Sequence, residues 1–250
     1  MSDNKETQEE IITGPEEEQV KEDPVKNKDG HVLTEVEKAR QAEFEKREKA
    51  LLDKGYKEKF ITTTVLKANI FGVLLTLPFI ALYTIPYRLW NGGFGIRKLM
   101  NENIVLYFIY IGIVIISFIP CAVIHERIHG FFWGLGVENK SDIGYGFQKE
   151  TLTPYCTCKS PLTKPMYILG SLMPMTILGV ILGIVSIFVG NICLWAVAVI
   201  QTMGGAGDIL ITVMLLAYNT KGKDVVLMDH PTQIGLVVFE KDKENAQSKA

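Results

Sequence analysis

Four stretches without charge set the rhythm of the chain. From Ala68 to Tyr87, from Ile104 to Ile124 and from Tyr167 to Gly190 there is no Asp, Glu, Lys or Arg; a fourth, Ile192 to Tyr218, is broken by Asp208 alone. Each reaches the roughly 20 residues that cross a hydrocarbon core about 30 Å thick. The pattern predicts four spans and excludes a single water-soluble core. Ahead of them, Thr34 and Glu37 form a capping box before a charged run with Val36, Phe44 and Leu51 at seven- to eight-residue spacing, and Gly55 supplies a stop. A surface helix over 35–54, just before the membrane, is expected. The loop from Gly136 to Lys164 alternates around Ile143–Phe147 and Leu152–Cys158, and Gln233–Glu240 alternates after the last span. Short strands are expected there, and an exposed edge among them could hold a peptide in extended form.

Composition agrees with segregation of grease from charge: 48% of residues are hydrophobic and 22% charged. The net charge of −2 averages opposed regions. Residues 1–24 hold nine acidic and two basic residues and no apolar periodicity, so a disordered acidic tail is expected over 1–30. That tail has no basic n-region ahead of an apolar core, which leaves the first span as the expected targeting signal. Basic residues nowhere form a dense patch with interleaved aromatics, which speaks against nucleic-acid binding.

The remaining cations orient the chain. Arg40, Lys46, Arg47, Lys49, Lys54, Lys57, Lys59 and Lys67 precede span one, Lys140, Lys149, Lys159 and Lys164 lie between spans two and three, and Lys221 and Lys223 follow span four. By the positive-inside rule that side, with both termini, is cytoplasmic. The expected fold is thus an all-α polytopic membrane protein, a four-span helical bundle with short cytoplasmic β or irregular loop segments. It divides into the tail 1–30, a juxtamembrane helix in 31–60, a four-span domain 61–220 and a cytoplasmic C-terminal tail 221–250.

Chemistry enters where span two ends, at His125-Glu126-Arg127-Ile128-His129. HExxH on a helix puts two imidazoles one turn apart on one face, a spacing suited to two ligands of one zinc ion, with the glutamate between them poised as a general base toward water. The chain has four histidines, and two are spent here. A catalytic zinc site takes a third protein ligand. Asp208 is the leading candidate, because a mid-span aspartate costs on the order of 2.5–3.5 kcal/mol and needs a partner. It follows Gly204-Gly205-Ala206-Gly207, small residues that let helices approach closely. Glu138, Asp142 and Glu150, or His230 in Asp229-His230-Pro231, are the competitors. Cys121 and Cys193 read as small buried apolar residues, and the Cys156/Cys158 pair as structural in preference to metal-binding or redox-active.

HERIHG at a span end, Pro-Tyr-Cys…Pro-Leu at 154–162, Pro174, Gly207-Asp208 and Asp229-His230-Pro231…Gly235 resemble a bacterial membrane family of zincin peptidases, a domain of unknown function related to the site-2 proteases. The resemblance spans roughly residues 55–240. It implies that His125, His129 and Asp208 bind Zn2+ and that Glu126 is catalytic. Site-2 proteases often set the aspartate in an Asn-Pro-Asp-Gly-like context, whose asparagine helps position substrate; here Gly-Ala-Gly precedes Asp208, so that group is missing or supplied elsewhere. Arg127, unusual in a membrane-embedded helix, would snorkel or pair with a carboxylate. The expected function is zinc-dependent hydrolysis of a membrane-anchored peptide or protein at the cytoplasmic face of the lipid bilayer. The rival is a non-catalytic membrane scaffold or regulator with a structural or vestigial metal site; transport ranks last, since Asp208 stands nearly alone near the midplane. Oligomeric state is not written in the sequence.

Overall fold

A computed structural model describes residues 34–148 and 153–243. The expected acidic tail and Glu150 lie outside those residues. Helix α1 (Glu35–Asp53) starts as the pattern predicts, with Thr34 and Glu37 bonding each other's backbone in a capping box. Strand β1 (Lys57–Thr62) follows, then α2 (Val65–Trp90), the short α3 (Ile96–Glu102) and α4 (Ile104–Gly134). Strands β2 (Ile143–Gln148), β3 (Thr153–Cys158) and β4 (Leu162–Thr163) come next. Helix α5 (Lys164–Pro174) passes through a π-helical stretch, Met175–Ile181, into α6 (Leu182–Val189); α7 (Ile192–Gly204), α8 (Ala206–Ala217), β5 (Lys223–Asp229) and β6 (Gly235–Asp242) complete the chain.

Three helices are long and apolar enough to cross a membrane: α2, α4 and the continuous run Lys164–Val189. The fourth expected span is two helices, α7 and α8, bent by 46° at their junction. Gly205 lies at the bend, where a Cβ would come within 2.8 Å of Met175 Cβ. One residue on, α8 meets α2 so closely that a Cβ on Gly72 would stand 2.7 Å from the Ala206 carbonyl oxygen. The small residues before Asp208 therefore do permit close approach, and they also end one helix and start another.

The helices are not the whole fold. Antiparallel strands in the order β1-β6-β5-β4 form a sheet, and β2–β3 form a separate hairpin. Residues 221–250, expected as a tail, thus carry the two central strands of a sheet. Side chains alternate across a strand, and β6 uses both faces. Leu236 and Val238 pack with Leu162, Leu227, Leu215, Trp133 and Tyr167 at the helix ends. Val237 and Phe239 pack with Met228 and with Phe44 and Leu51 of α1. The result is three layers: helical bundle, sheet, and α1 as a cover. Glu240, accepting from Lys59 (2.7 Å), Lys223 (2.8 Å) and the Tyr218 hydroxyl (2.5 Å), ties β1, β5 and the end of α8 together. Arg47 fastens α1 to the hairpin through Asp142 at 2.9 Å and Ser160 at 3.1 Å.

Candidate metal centre

Helix α4 delivers the motif. His125 and His129 are buried on one face, one turn apart, with ring centroids 4.9 Å from each other. Ligand atoms of His125, Glu126 and His129 all lie within 4.8 Å of one another.

Asp208, in the first turn of α8, comes to the same point. Its Oδ2 is 3.3 Å from His125 Nε2 and 3.5 Å from His129 Nε2. The stagger of the helices explains this. Cys193 Sγ reaches the Tyr110 carbonyl at 3.8 Å, and both that pair and His125/Asp208 are 83 positions apart. The two pairs share one offset, so α4 begins about one and a half turns before the level at which α7 begins.

The spacing fits a shared ion better than direct bonds. Charge-assisted N–H···O contacts close to about 2.7–2.9 Å. Imidazole nitrogen and carboxylate oxygen on one tetrahedral zinc, at bond lengths near 2.0–2.2 Å, stand about 3.3–3.5 Å apart. Two imidazoles and a carboxylate form a donor set that zinc accepts.

Other residues hold this arrangement. His129 Nδ1 lies 2.9 Å from the Gly170 carbonyl of α5. Its ring stacks on Trp133 (centroids 4.9 Å, 18°), whose Nε1–H donates to the Tyr167 carbonyl at 3.2 Å. Trp133 lies flat over Gly170, where any Cβ would come within 2.1 Å of the indole. Beneath, the Tyr167 hydroxyl donates to Asp229 at 2.6 Å, and Asp229 also accepts from the Thr157 hydroxyl at 3.3 Å and the Cys158 N–H at 3.5 Å. Burial pushes the Asp229 carboxyl above its ordinary value against these donors. The sequence reading missed Trp133, Gly170 and Tyr167. Trp133 could have been found, since it sits one turn beyond His129 on the ligand face.

The hairpin covers the site from the loop side. Arg127 lies over the Tyr145 ring at 4.7 Å, so its charge meets an aromatic face. The Cys156 backbone N–H faces the Glu126 carboxylate. Burial pushes both thiols up, Cys158 to about 12.

The competitors stand elsewhere. Asp142 is taken by Arg47 and Ser160, and Arg47 and Ser160 hold its carboxyl below the usual range against the opposing effect of burial. Glu138 is exposed. His230 Nδ1 accepts from the Thr232 and Gln233 amides at 3.2 and 2.9 Å, a turn contact.

Residues 118–222 match the family model described as "Putative zincin peptidase". The matched segment runs from just before the motif to just past Asp208, and supports a metallopeptidase-like function. No curated protein and no solved structure matches the chain.

Proposed function

We propose that the protein is a membrane-embedded zinc metallopeptidase, related to the site-2 proteases, that cleaves membrane-associated peptides near the cytoplasmic face. The observation that carries this reading is Asp208 Oδ2 standing between His125 Nε2 and His129 Nε2 at 3.3 and 3.5 Å, with Glu126 beside them. His125, His129 and Asp208 would hold the metal. When bound, zinc supplies Lewis acidity to a scissile carbonyl and to the attacking water. Glu126 takes a proton from that water as its oxygen bonds to the carbonyl carbon. The same carboxyl returns the proton to the amine as the C–N bond breaks.

Strand β3 is the proposed guide for the substrate. Its N–H groups at Cys156 and Cys158 point away from β2, toward Glu126 and Asp229 respectively. A peptide laid along this edge in extended form would have its backbone beside the base, and by taking over the N–H groups now given to Glu126 and Asp229 it would gain the positioning that Gly-Ala-Gly before Asp208 lacks.

Pairing supports four crossings. β1 precedes the first apolar helix and β6 follows the last, yet they are hydrogen-bonded neighbours. Both ends of the helical domain then lie on one side, which favours an even number of crossings with the bent α7–α8 pair as the fourth. The density of Lys and Arg on that side favours the cytoplasm.

Glu126→Gln is the test. Zinc content should stay at the wild-type level while cleavage of a membrane-anchored reporter falls by about 10²–10⁴-fold, the range for loss of a general base. Undiminished cleavage by a zinc-loaded Glu126→Gln protein would sink the hydrolase reading and favour the scaffold.

A further inference from the structure

A histidine that binds metal through Nε2 must keep its proton on Nδ1, and something must hold it there. Here that partner is a backbone carbonyl inside a helix, which is not ordinarily free. In an α-helix the carbonyl of residue i accepts from the N–H of residue i+4. The Gly170 carbonyl would accept from residue 174, and residue 174 is proline, with no N–H to give. The next donor along is also engaged elsewhere: the Met175 N–H bonds the Leu172 carbonyl. The chain then leaves α-helical pairing for the π-helical stretch Met175–Ile181. The buried Gly170 oxygen faces His129 Nδ1 at 2.9 Å.

We infer that Pro174 is a positioning residue for the metal centre: by leaving the Gly170 carbonyl without its helical donor, it creates the acceptor that holds the Nδ1–H of His129 and turns Nε2 toward Asp208.

Two further observations fit this role. A buried carbonyl without a donor is costly, so the bond to His129 is needed by both partners. Gly170 itself has no room for a side chain, because Trp133 occupies the place of its Cβ and stacks on the same imidazole. Proline and glycine thus act on the ring through the Gly170 carbonyl, and tryptophan by stacking on it.

The inference deepens the peptidase reading, resting on it only for the statement that Nε2 meets a metal. Its test is independent of turnover. The full chain, labelled with ¹⁵N-histidine and purified in detergent, should show a His129 proton on Nδ1 that exchanges slowly with solvent, both metal-free and with zinc. Pro174→Ala restores an N–H that competes for the Gly170 oxygen. That variant should exchange the Nδ1 proton faster and bind zinc about tenfold more weakly, the lower end of what such outer partners contribute. Pro78→Ala, the same change inside α2, should leave both readings at wild-type values. A His129 proton found on Nε2, or a folded Pro174→Ala protein equal to wild type in exchange and affinity, overturns the inference. If Pro174→Ala fails to fold, the wild-type proton position still decides. Absence of zinc binding by the wild type would overturn the metallopeptidase reading, while the metal-free spectrum would still judge the bond to Gly170.

Discussion

Gly130, the residue after the second histidine, shows how tightly the motif is fitted to its surroundings. A Cβ there would stand 2.0 Å from the Tyr145 hydroxyl and 2.8 Å from Ile143 Cγ2. The glycine is what lets the β2–β3 hairpin lie against α4. Gly130→Ala should push the hairpin away at a cost of about 1–3 kcal/mol, the usual range for forcing extra atoms into a packed site. Limited proteolysis between residues 136 and 164 would report it, with the variant cut faster than wild type; equal rates would mean the hairpin yields without detaching. His125, Glu126 and His129 were legible in the sequence because HExxH encodes a helical repeat within five residues. Asp208 was legible because an isolated charge in an apolar span is conspicuous. Gly170 and Tyr167 were not, since they act through backbone carbonyls and packing that no local pattern records.

Among elements, the capping box and stop predicted α1 to within a residue at its end, and the two alternating runs predicted β2 and β3. The alternating run Gln233–Glu240 likewise marked β6; the bend between α7 and α8 and the pairing of β6 into a four-stranded sheet were not legible. Strand β1 reads Lys-Glu-Lys-Phe-Ile-Thr, whose first three residues are charged, and its partner β6 lies some 180 positions away. Only the fold brings them together. Glu240 holds that sheet to α8: burial alone would raise its carboxyl, yet bonds from Lys223, Lys59 and Tyr218 outweigh this and bring it down to about 2 from an ordinary 4.5. A depressed carboxyl stabilises the folded state above its unfolded value, and that contribution is lost as pH falls from about 4.5 to about 2. Thermal unfolding followed across this window should show melting temperature dropping with acid, by less in Glu240→Gln than in wild type. An equal drop in both would place the acid-sensitive contact elsewhere.

At the scale of the molecule, a sheet capped by α1 and a bundle of apolar helices meet at one plane. Trp133, Tyr167 and Leu215 from the helices and Leu227 and Leu236 from the sheet share one buried cluster there. The candidate metal-binding side chains lie just on the helical side of that plane, between α4 and the start of α8. Folding therefore assembles the site from two segments 83 positions apart and braces it with α5. This makes Asp208 the residue on which the account stands. The most direct measurement is zinc content of the detergent-purified full chain, by elemental analysis, for wild type, Glu126→Gln and Asp208→Ala. About one zinc per chain is expected in the first two, and at least tenfold weaker retention in Asp208→Ala against a competing chelator. Wild-type protein without zinc, or Asp208→Ala protein retaining it as tightly as wild type, would contradict a site built on His125, His129 and Asp208.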